Sequence, residues 1–183
     1  MTQHILAVDD EPHMLKLLER IVEEKTPYRI TTTSNSLEVP ELLAKHTFDV
    51  VVTDLKMPGM DGLDILRTIH ERGQGEQVII MTAFGTFDTA MEALSAGVFD
   101  YITKPFKKEE FLFTLHRAMR WMQNQREAAR LGAILDLEPY DKARDAFDRE
   151  YIRRLRERTP GDLSALAKRS GLDPNRLEEL LQS

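Results

Sequence analysis

The sequence predicts an α/β fold in which a doubly wound, five-stranded parallel sheet is followed by a small all-α domain. Short apolar runs alternate with helical patterns through the first 120 residues, which is typical of βαβ units. The strongest run, DVVVTDL at 49–55, contains three valines in succession and predicts a strand buried on both faces. The predicted domains are the sheet domain 1–120, a helical linker 121–139 and a helical domain 140–183.

The first half of the predicted sheet begins with HILAV at 4–8, a short apolar run that ends at two aspartates. A helix then begins at Glu11-Pro12, because proline is tolerated in a first helical turn and glutamate suits the positive end of the helix dipole. The β-formers of 28–33 predict the second strand. We expect Ser36 to cap a helix over 36–45, whose first turn is distorted by proline.

The second half of the predicted sheet continues the alternation of strands and helices. Helical periodicity covers 62–72, and a buried strand is predicted at 78–81. A helix over 86–96 is expected to stop at a glycine, and the last strand is predicted at 99–103. From residue 107 onward the pattern is that of one long helix.

Polar residues follow the ends of four predicted strands. Asp9 and Asp10 follow the first strand, and Asp54 lies at the end of the third. Thr82 ends the fourth and Lys104 follows the fifth. Doubly wound sheets bind their ligands outside the carboxyl ends of the strands, where the strand order reverses. We therefore expect these five residues to converge at one edge of the sheet.

Three carboxylates packed together repel one another, and a bound divalent cation removes that cost. Oxygen ligands alone favour Mg²⁺ or Mn²⁺. A carboxylate beside such a cation can attack a phosphoryl donor, while Lys104 adds positive charge and Thr82 adds a hydroxyl donor. The small Ala83 leaves room beside Thr82. The set predicts transfer of a phosphoryl group to a carboxylate, and the chain contains no nucleotide-binding loop.

Four motifs carry a family resemblance: VDDEP at 8–12, VTDLKMPGMDGL at 52–63, IIMTAFGTFDTAMEAL at 79–94 and FDYITKPF at 99–106. With them, residues 4–120 resemble the receiver domain of two-component response regulators, which has a flavodoxin-like fold. The last two motifs are most similar to receivers of nitrogen-regulation-type transcription activators. The resemblance implies a sensor histidine kinase or a phosphotransfer protein as the phosphodonor, and no enzyme activity beyond transfer to and from the receiver's own aspartate.

The resemblance also assigns roles to single residues. It makes Asp54 the phosphoacceptor. The implied metal ligands are Asp10, Asp54, the backbone carbonyl of Lys56, and Asp9 through a water molecule. The implied phosphate-binding and switch residues are Thr82, Ala83, Tyr101 and Lys104, and a cis peptide is expected at Pro105. Taken singly, each residue has an ordinary alternative as a cap, turn or exposed polar residue, and the switch role of Tyr101 depends on the resemblance alone.

The long helix predicted over 107–130 has an apolar stripe that includes Phe111, Leu115 and Met119, which we expect to pack on the sheet. Beyond Trp121 the helix is expected to extend past the domain. The stretch 121–137 can then pair with its copy in a homodimer.

Residues 140–183 predict a second, helical unit. A helix over 141–158 places Ala143, Phe147, Tyr151, Ile152 and Leu155 on one side. Two short helices, 163–170 and 174–181, flank a turn at Gly171, and this arrangement is a helix-turn-helix candidate.

The pattern YDKARDAFDREYI at 140–152, followed by GDLSALAKRSGL at 161–172, resembles the Fis-type DNA-binding domain that closes nitrogen-regulation-type activators. Those activators usually carry an ATPase domain between receiver and tail, and the gap here is too short for one. The chain is therefore similar to shorter regulators that join a receiver directly to a Fis-type domain. The candidate DNA-binding residues are Lys168, Arg169, Asn175 and Arg176.

The last predicted helix departs from this pattern. A recognition helix normally brings lysine and arginine to the DNA, whereas DPNRLEELLQS has one arginine among three acidic residues. The alternative is a signalling adaptor whose tail mediates dimerisation or protein binding.

The composition excludes several classes of site and of protein. The chain has no cysteine, which excludes disulfides, thiolate catalysis and cysteine-based zinc sites. The net charge of −6 comes from residues 1–120, while 121–183 are neutral, so the first part is not built to bind nucleic acid directly. No apolar run approaches the ~20 residues of a membrane span, and no signal peptide is recognised. We expect a cytoplasmic protein without a membrane partner.

Overall fold

The computed structural model describes residues 3–83, 91, 93–135, 140–158 and 163–182. The chain divides into two compact units, residues 1–125 and 126–183. Residues 86–90 and 92 of the predicted helix 86–96, and residues 136–139 of the predicted linker, lie outside the described residues.

The first unit contains a sheet of five parallel strands in the order β2-β1-β3-β4-β5. This order reverses between β1 and β3, as in a doubly wound fold, and it confirms the predicted five-stranded parallel α/β sheet. The strands are β1 (His4–Val8), β2 (Arg29–Thr33), β3 (Val50–Asp54), β4 (Gln77–Thr82) and β5 (Asp100–Thr103).

The helices of the first unit lie between and after the strands. They are α1 (Pro12–Lys25), a 3₁₀ turn (Ser36–Glu38), α2 (Val39–Lys45), α3 (Gly62–Arg72) and α4 (Lys108–Leu135), and residues 93–95 are also helical. The expected cap at Ser36 is wrong. Asn35 caps this turn by accepting a hydrogen bond from the backbone N–H of Leu37 at 3.2 Å. Ser36 is buried and binds the β3–α3 loop instead.

The three central strands are buried on both faces, which explains their uninterrupted apolar sequence. Alternate residues point to opposite faces. Ile5 and Val52 belong to a core formed with α1 and α4. Leu6 and Val51 belong to a second core formed with α2 and α3. The sheet is therefore held between two apolar layers, and its carboxyl edge has a fixed position.

Helix α4 is longer than the sequence predicted, since it continues to Leu135. Phe111, Leu115 and Met119 are buried in the first core, and Met122 is also buried. Residues 123–130 are exposed in succession. The apolar stripe thus ends about where the sheet does. None of the helices in the described ranges combines the length and apolar character that crossing a membrane requires.

The second unit contains α5 (Tyr140–Arg158), α6 (Leu163–Ser170) and α7 (Pro174–Gln182). Its small core is made by Ile152, Leu166, Leu177 and Leu180. The expected apolar face of α5 is only partly buried. Phe147 and Tyr151 are exposed and stack on each other with ring centroids 6.4 Å apart. The helix-turn-helix interpretation of α6 and α7 stays a prediction.

Replacing Phe111 by alanine is expected to lower the free energy of unfolding of the first unit by about 3–5 kcal/mol. Its ring is fully buried in the first core and stacks on Phe106 at 5.9 Å between centroids, so the smaller side chain leaves a cavity. Urea unfolding followed by far-ultraviolet circular dichroism measures the change.

The matched control is Phe113→Ala on the same helix. Phe113 is 65% exposed, and its main contact is the Arg117 guanidinium, 5.7 Å from the ring centroid. The expected loss is at most about 1 kcal/mol. Equal losses for the two variants would contradict the packing of α4 described above.

Candidate functional site

The carboxyl edge of the sheet gathers polar side chains from several strands. Asp9 directly follows β1, Asp54 is the last residue of β3, and Lys104 directly follows β5. Asp9 is fully buried, and Asp54 is 7% exposed. Buried ionisable groups need hydrogen-bond partners or opposite charges, and here they supply these to one another.

The ammonium of Lys104 joins the two buried carboxylates. Its Nζ donates to Asp9 Oδ2 at 2.7 Å and to Asp54 Oδ1 at 2.5 Å. The Lys104 side chain is only 9% exposed. Burial opposes its charge, but the hydrogen bonds to Asp54 and Asp9 outweigh that effect and raise the pKa of Lys104. The lysine is therefore held in its charged form.

Asp54 is oriented through both oxygens. While Oδ1 accepts from Lys104, Oδ2 accepts from the backbone N–H of Lys56 at 2.8 Å. The carboxylate is thus held by one donor on each oxygen, and each oxygen keeps a lone pair for a further partner.

Asp9 is less well compensated. Its Oδ1 accepts from the backbone N–H of Glu11 at 2.9 Å, in addition to the contact of Oδ2 with Lys104. Burial nevertheless raises the pKa of Asp9, and the hydrogen bonds from Lys104 and Glu11 offset only part of this effect. One ammonium shared by two carboxylates leaves an excess negative charge at the site.

Asp10 is exposed and increases that excess. Among the described residues, no group of three or more acidic, histidine or cysteine side chains is arranged to hold a metal ion. The Lys104 ammonium contacts both buried carboxylates, whereas Asp10 is exposed. The oxygen donors and the uncompensated charge of the site still fit a hard divalent cation in chemical character.

Thr82 is buried at the end of β4, and its backbone oxygen accepts from the Lys104 N–H at 2.7 Å. Ala83, the next residue, is exposed. Tyr101 is half-buried in β5 and packs against the second core. Because Tyr101 pairs with Ile80, Thr82 and Tyr101 lie on the same face of neighbouring strands. The peptide between Lys104 and Pro105 is cis.

Comparison with known proteins decides the family. The response regulator receiver domain model matches residues 5–116 of the chain. This chain belongs to the response regulator receiver family. The NtrC DNA-binding transcriptional regulator of Escherichia coli is 40% identical over 123 residues, which are 67% of this chain and 26% of that protein. The response regulator PilR of Pseudomonas aeruginosa is 42% identical over 103 residues, 56% of this chain and 23% of PilR.

Solved structures agree with this result. A response regulator receiver domain from Clostridium thermocellum superposes with a TM-score of 0.63 at 31% identity, covering 67% of this chain and 98% of that one. The matched part of the chain spans about a quarter of the NtrC and PilR sequences. Receiver domains typically bind Mg²⁺ at the acidic phosphorylation site.

The sequence did not predict the roles that Ser36 and Gly62 have in supporting the receiver site. Ser36 Oγ donates to the carbonyl of Pro58 at 2.7 Å and accepts from the N–H of Met60 at 2.8 Å, which ties the loop after β3 to the 3₁₀ turn. Gly62 lies against the backbone of Asp54, since a Cβ atom there would be 2.6 Å from the Asp54 carbonyl oxygen. The only signal in the sequence for this close approach of two backbone segments is the glycine of the motif MDGL.

The candidate DNA-binding residues of the tail lie in different surroundings. Lys168 and Arg169 are exposed in the last turn of α6. The backbone N–H of Asn175 donates to Asp173 at the start of α7. The Arg176 side chain turns toward α5, where it binds Asp145 and lies 3.4 Å from Asp148. The Arg176 side chain thus binds carboxylates of α5, whereas Lys168 and Arg169 are exposed on α6.

Gly62→Ala is expected to lower the free energy of unfolding of the receiver by about 1–3 kcal/mol. The added Cβ would meet backbone atoms of Asp54 and Leu55, which cannot rotate away as a flexible side chain can. Urea unfolding followed by circular dichroism checks this value. Gly132→Ala is the control, because apart from its chain neighbours and its own helix backbone no described residue comes within 4 Å of a Cβ there. The receiver transition should stay where it is.

Proposed function

We propose that this chain is a response regulator that accepts a phosphoryl group on Asp54 from a histidine kinase or a phosphotransfer protein. The observation that supports this most directly is the restraint of the Asp54 carboxylate between Lys104 Nζ and the Lys56 N–H. A nucleophile held in one orientation loses little further freedom on reaching the transition state.

In the proposed reaction, an Asp54 oxygen attacks the phosphorus of a phosphohistidine. A P–O bond forms while the P–N bond breaks, and its electron pair returns to the imidazole, which takes up a proton. The product is an acyl phosphate on Asp54. Lys104 already contacts Asp54 Oδ1. After the transfer, its ammonium can bind the oxygens of the phosphoryl group and offset their negative charge.

The residues proposed to hold a divalent cation are Asp10, Asp54 and the carbonyl of Lys56, with Asp9 acting through water. Mg²⁺ or Mn²⁺, when bound, supplies positive charge that offsets the charge on the phosphoryl oxygens. Asp9 is buried, and the hydrogen bond from the Glu11 N–H to its Oδ1 holds the carboxylate in place. The raised pKa of Asp9 is in line with a site that needs more positive charge than Lys104 alone provides.

Thr82 and Tyr101 are the proposed switch residues. Thr82 is buried near the acceptor, and Tyr101 lies on the same sheet face one strand further along. A hydroxyl drawn toward a phosphorylated Asp54 would vacate space that a half-buried aromatic ring can enter. Beyond transfer to and from its own aspartate, the receiver is proposed to have no separate substrate.

The Asp54→Asn variant should not be labelled when the chain is incubated with acetyl phosphate and Mg²⁺, whereas the parent chain should gain one phosphoryl group. Intact-mass spectrometry measures the gain, and hydroxylamine should release it, as it does from an acyl phosphate. The amide lacks the negative charge that makes the carboxylate a nucleophile.

Asp64→Asn serves as the matched control, because its oxygen accepts from the Asp61 N–H and an asparagine can do the same. This variant should be labelled like the parent. Equal labelling of Asp54→Asn, or a label that resists hydroxylamine, would remove Asp54 as the acceptor.

For the output we propose regulation of transcription through the C-terminal helices as a Fis-like helix-turn-helix. The support is the pair α6 and α7 around Gly171, which has φ of 69° and ends α6 through its N–H to the Ala167 carbonyl at 3.0 Å. Lys168 and Arg169 are exposed beside this turn. The short segment between receiver and tail supports an output without an ATPase domain.

A specific observation favours the alternative of a signalling adaptor that acts through dimerisation or protein binding. Two arginines of α5 are occupied by acidic neighbours, since Arg153 and Arg154 both bind Glu150. Hydrogen bonds from these arginines lower the pKa of Glu150 to about 2. Together with the ion pairs of Arg176, this leaves less positive charge for phosphates.

If the tail binds DNA, the full chain should retard duplex DNA in gels, and the Lys168→Gln variant should lower the slope of log K against log salt by about 1. Lys16→Gln, an exposed lysine on α1, is the control and should leave the slope unchanged. Absence of retardation at low salt, together with dimers in light scattering, would favour the adaptor.

A further inference from the structure

The amino edge of the sheet, opposite the Asp54 site, carries a second polar feature. A pocket of about 360 Å³ lies there, beside the first residues of β1 and β2 and the end of α3. Its basic lining residues are His4, Arg29, Lys45, His46 and Arg72, and no carboxylate is among the residues that line it. This volume is at the lower end of the ~300–1,000 Å³ typical of small-molecule sites.

The cations of this pocket retain unused hydrogen-bonding capacity. Within the described part of the chain, no carboxylate pairs with Arg29, which is exposed. Arg72 donates through Nη2 to the Leu43 carbonyl at 2.5 Å, but its Nε is buried and meets no acceptor among the described residues. Lys45 pairs with Glu41 at the surface, where such pairs are weak.

Two buried acidic residues lie near the pocket in the sequence but are not part of its lining. Asp49 is buried and accepts the backbone N–H of His4 at 2.7 Å. Glu76 is buried, and neither of its carboxylate oxygens has a hydrogen-bond partner among the described residues. Burial is the main cause that lowers the pKa of His4, and the charges of Arg29 and His46 lower it further, whereas the Thr47 backbone and Asp49 raise it.

We propose that this pocket binds a small polyanion through phosphate or carboxylate groups. A guanidinium group presents paired donors that match the oxygens of either group, and Arg29 and Arg72 bring two such groups to one pocket. The site is separate from Asp54 and does not depend on phosphorylation.

The test is a nuclear magnetic resonance titration of the full chain without Mg²⁺, with pyrophosphate in one arm and citrate in the other. Saturable amide shifts are expected at the pocket, for example at Arg29, Lys45, Thr47 and Gln74. A response to pyrophosphate alone identifies a phosphate ligand, and a response to citrate alone identifies a carboxylate ligand. Shifts confined to the surroundings of Asp54 and Lys104, or no saturable shifts in either arm, would overturn the proposal.

Arg29→Gln should weaken binding by about tenfold, the effect of losing one charge-assisted hydrogen bond. The fold should tolerate this exposed change. Arg67→Gln removes an exposed arginine of α3 that pairs with Asp64 outside the pocket, and it should leave the affinity within about twofold. Equal weakening by both variants would mean that binding depends only on the net charge of the protein, and it would refute the proposed pocket.

Discussion

The contact of one ammonium with two buried carboxylates organises the carboxyl edge of this receiver. Lys104 follows β5, whereas Asp9 follows β1 and Asp54 ends β3, so the contact joins segments 50 and 95 residues apart in the sequence. It forms only if the parallel register of all the intervening strands is correct. Removing the cation would leave two buried carboxylates without a counter-charge, each held by only one backbone N–H, which is costly in a low-dielectric surrounding. The site and the fold are therefore specified by the same interaction.

The two edges of the sheet present different groups, and this difference has a simple structural source. At the carboxyl edge, the strands end in acidic residues that exceed the single Lys104 charge, and Asp10 adds a further negative charge at the surface. At the amino edge, Arg29 and Arg72 face a pocket lined by no carboxylate. Because the strands are parallel, residues at strand starts and strand ends are sorted to opposite sides of the molecule. A net charge of −6 is thus compatible with a pocket lined by five basic residues on the same unit as the acidic site.

The sequence predicted the strands to within one or two residues, because a strand buried on both faces leaves a continuous apolar run that few other structures produce. It also predicted that Asp9, Asp54 and Lys104 meet at the carboxyl edge, since that follows from topology, whereas Asp10, which was expected to join them, is exposed. Contacts between distant loops could not be predicted. Ser36 meets Pro58 across 22 residues and Arg176 meets Asp145 across 31, and no local pattern encodes either pairing. Phe147 and Tyr151 follow helical periodicity and are nevertheless exposed, because only part of the apolar face of α5 meets the core formed by α6 and α7.

The charges of the tail illustrate why counting basic residues is a poor guide to DNA binding. Arg153 and Arg154 of α5 and Arg176 of α7 each bind a carboxylate within the second unit. A phosphate must displace those carboxylates before it can use the arginines, and the displaced acids then repel it. Lys168 and Arg169 are exposed next to the turn before α7, and Arg149 and Arg156 are exposed on α5. The ion pairs therefore reduce the positive charge that this unit presents without removing it, and they also stabilise a folded surface that suits a protein partner.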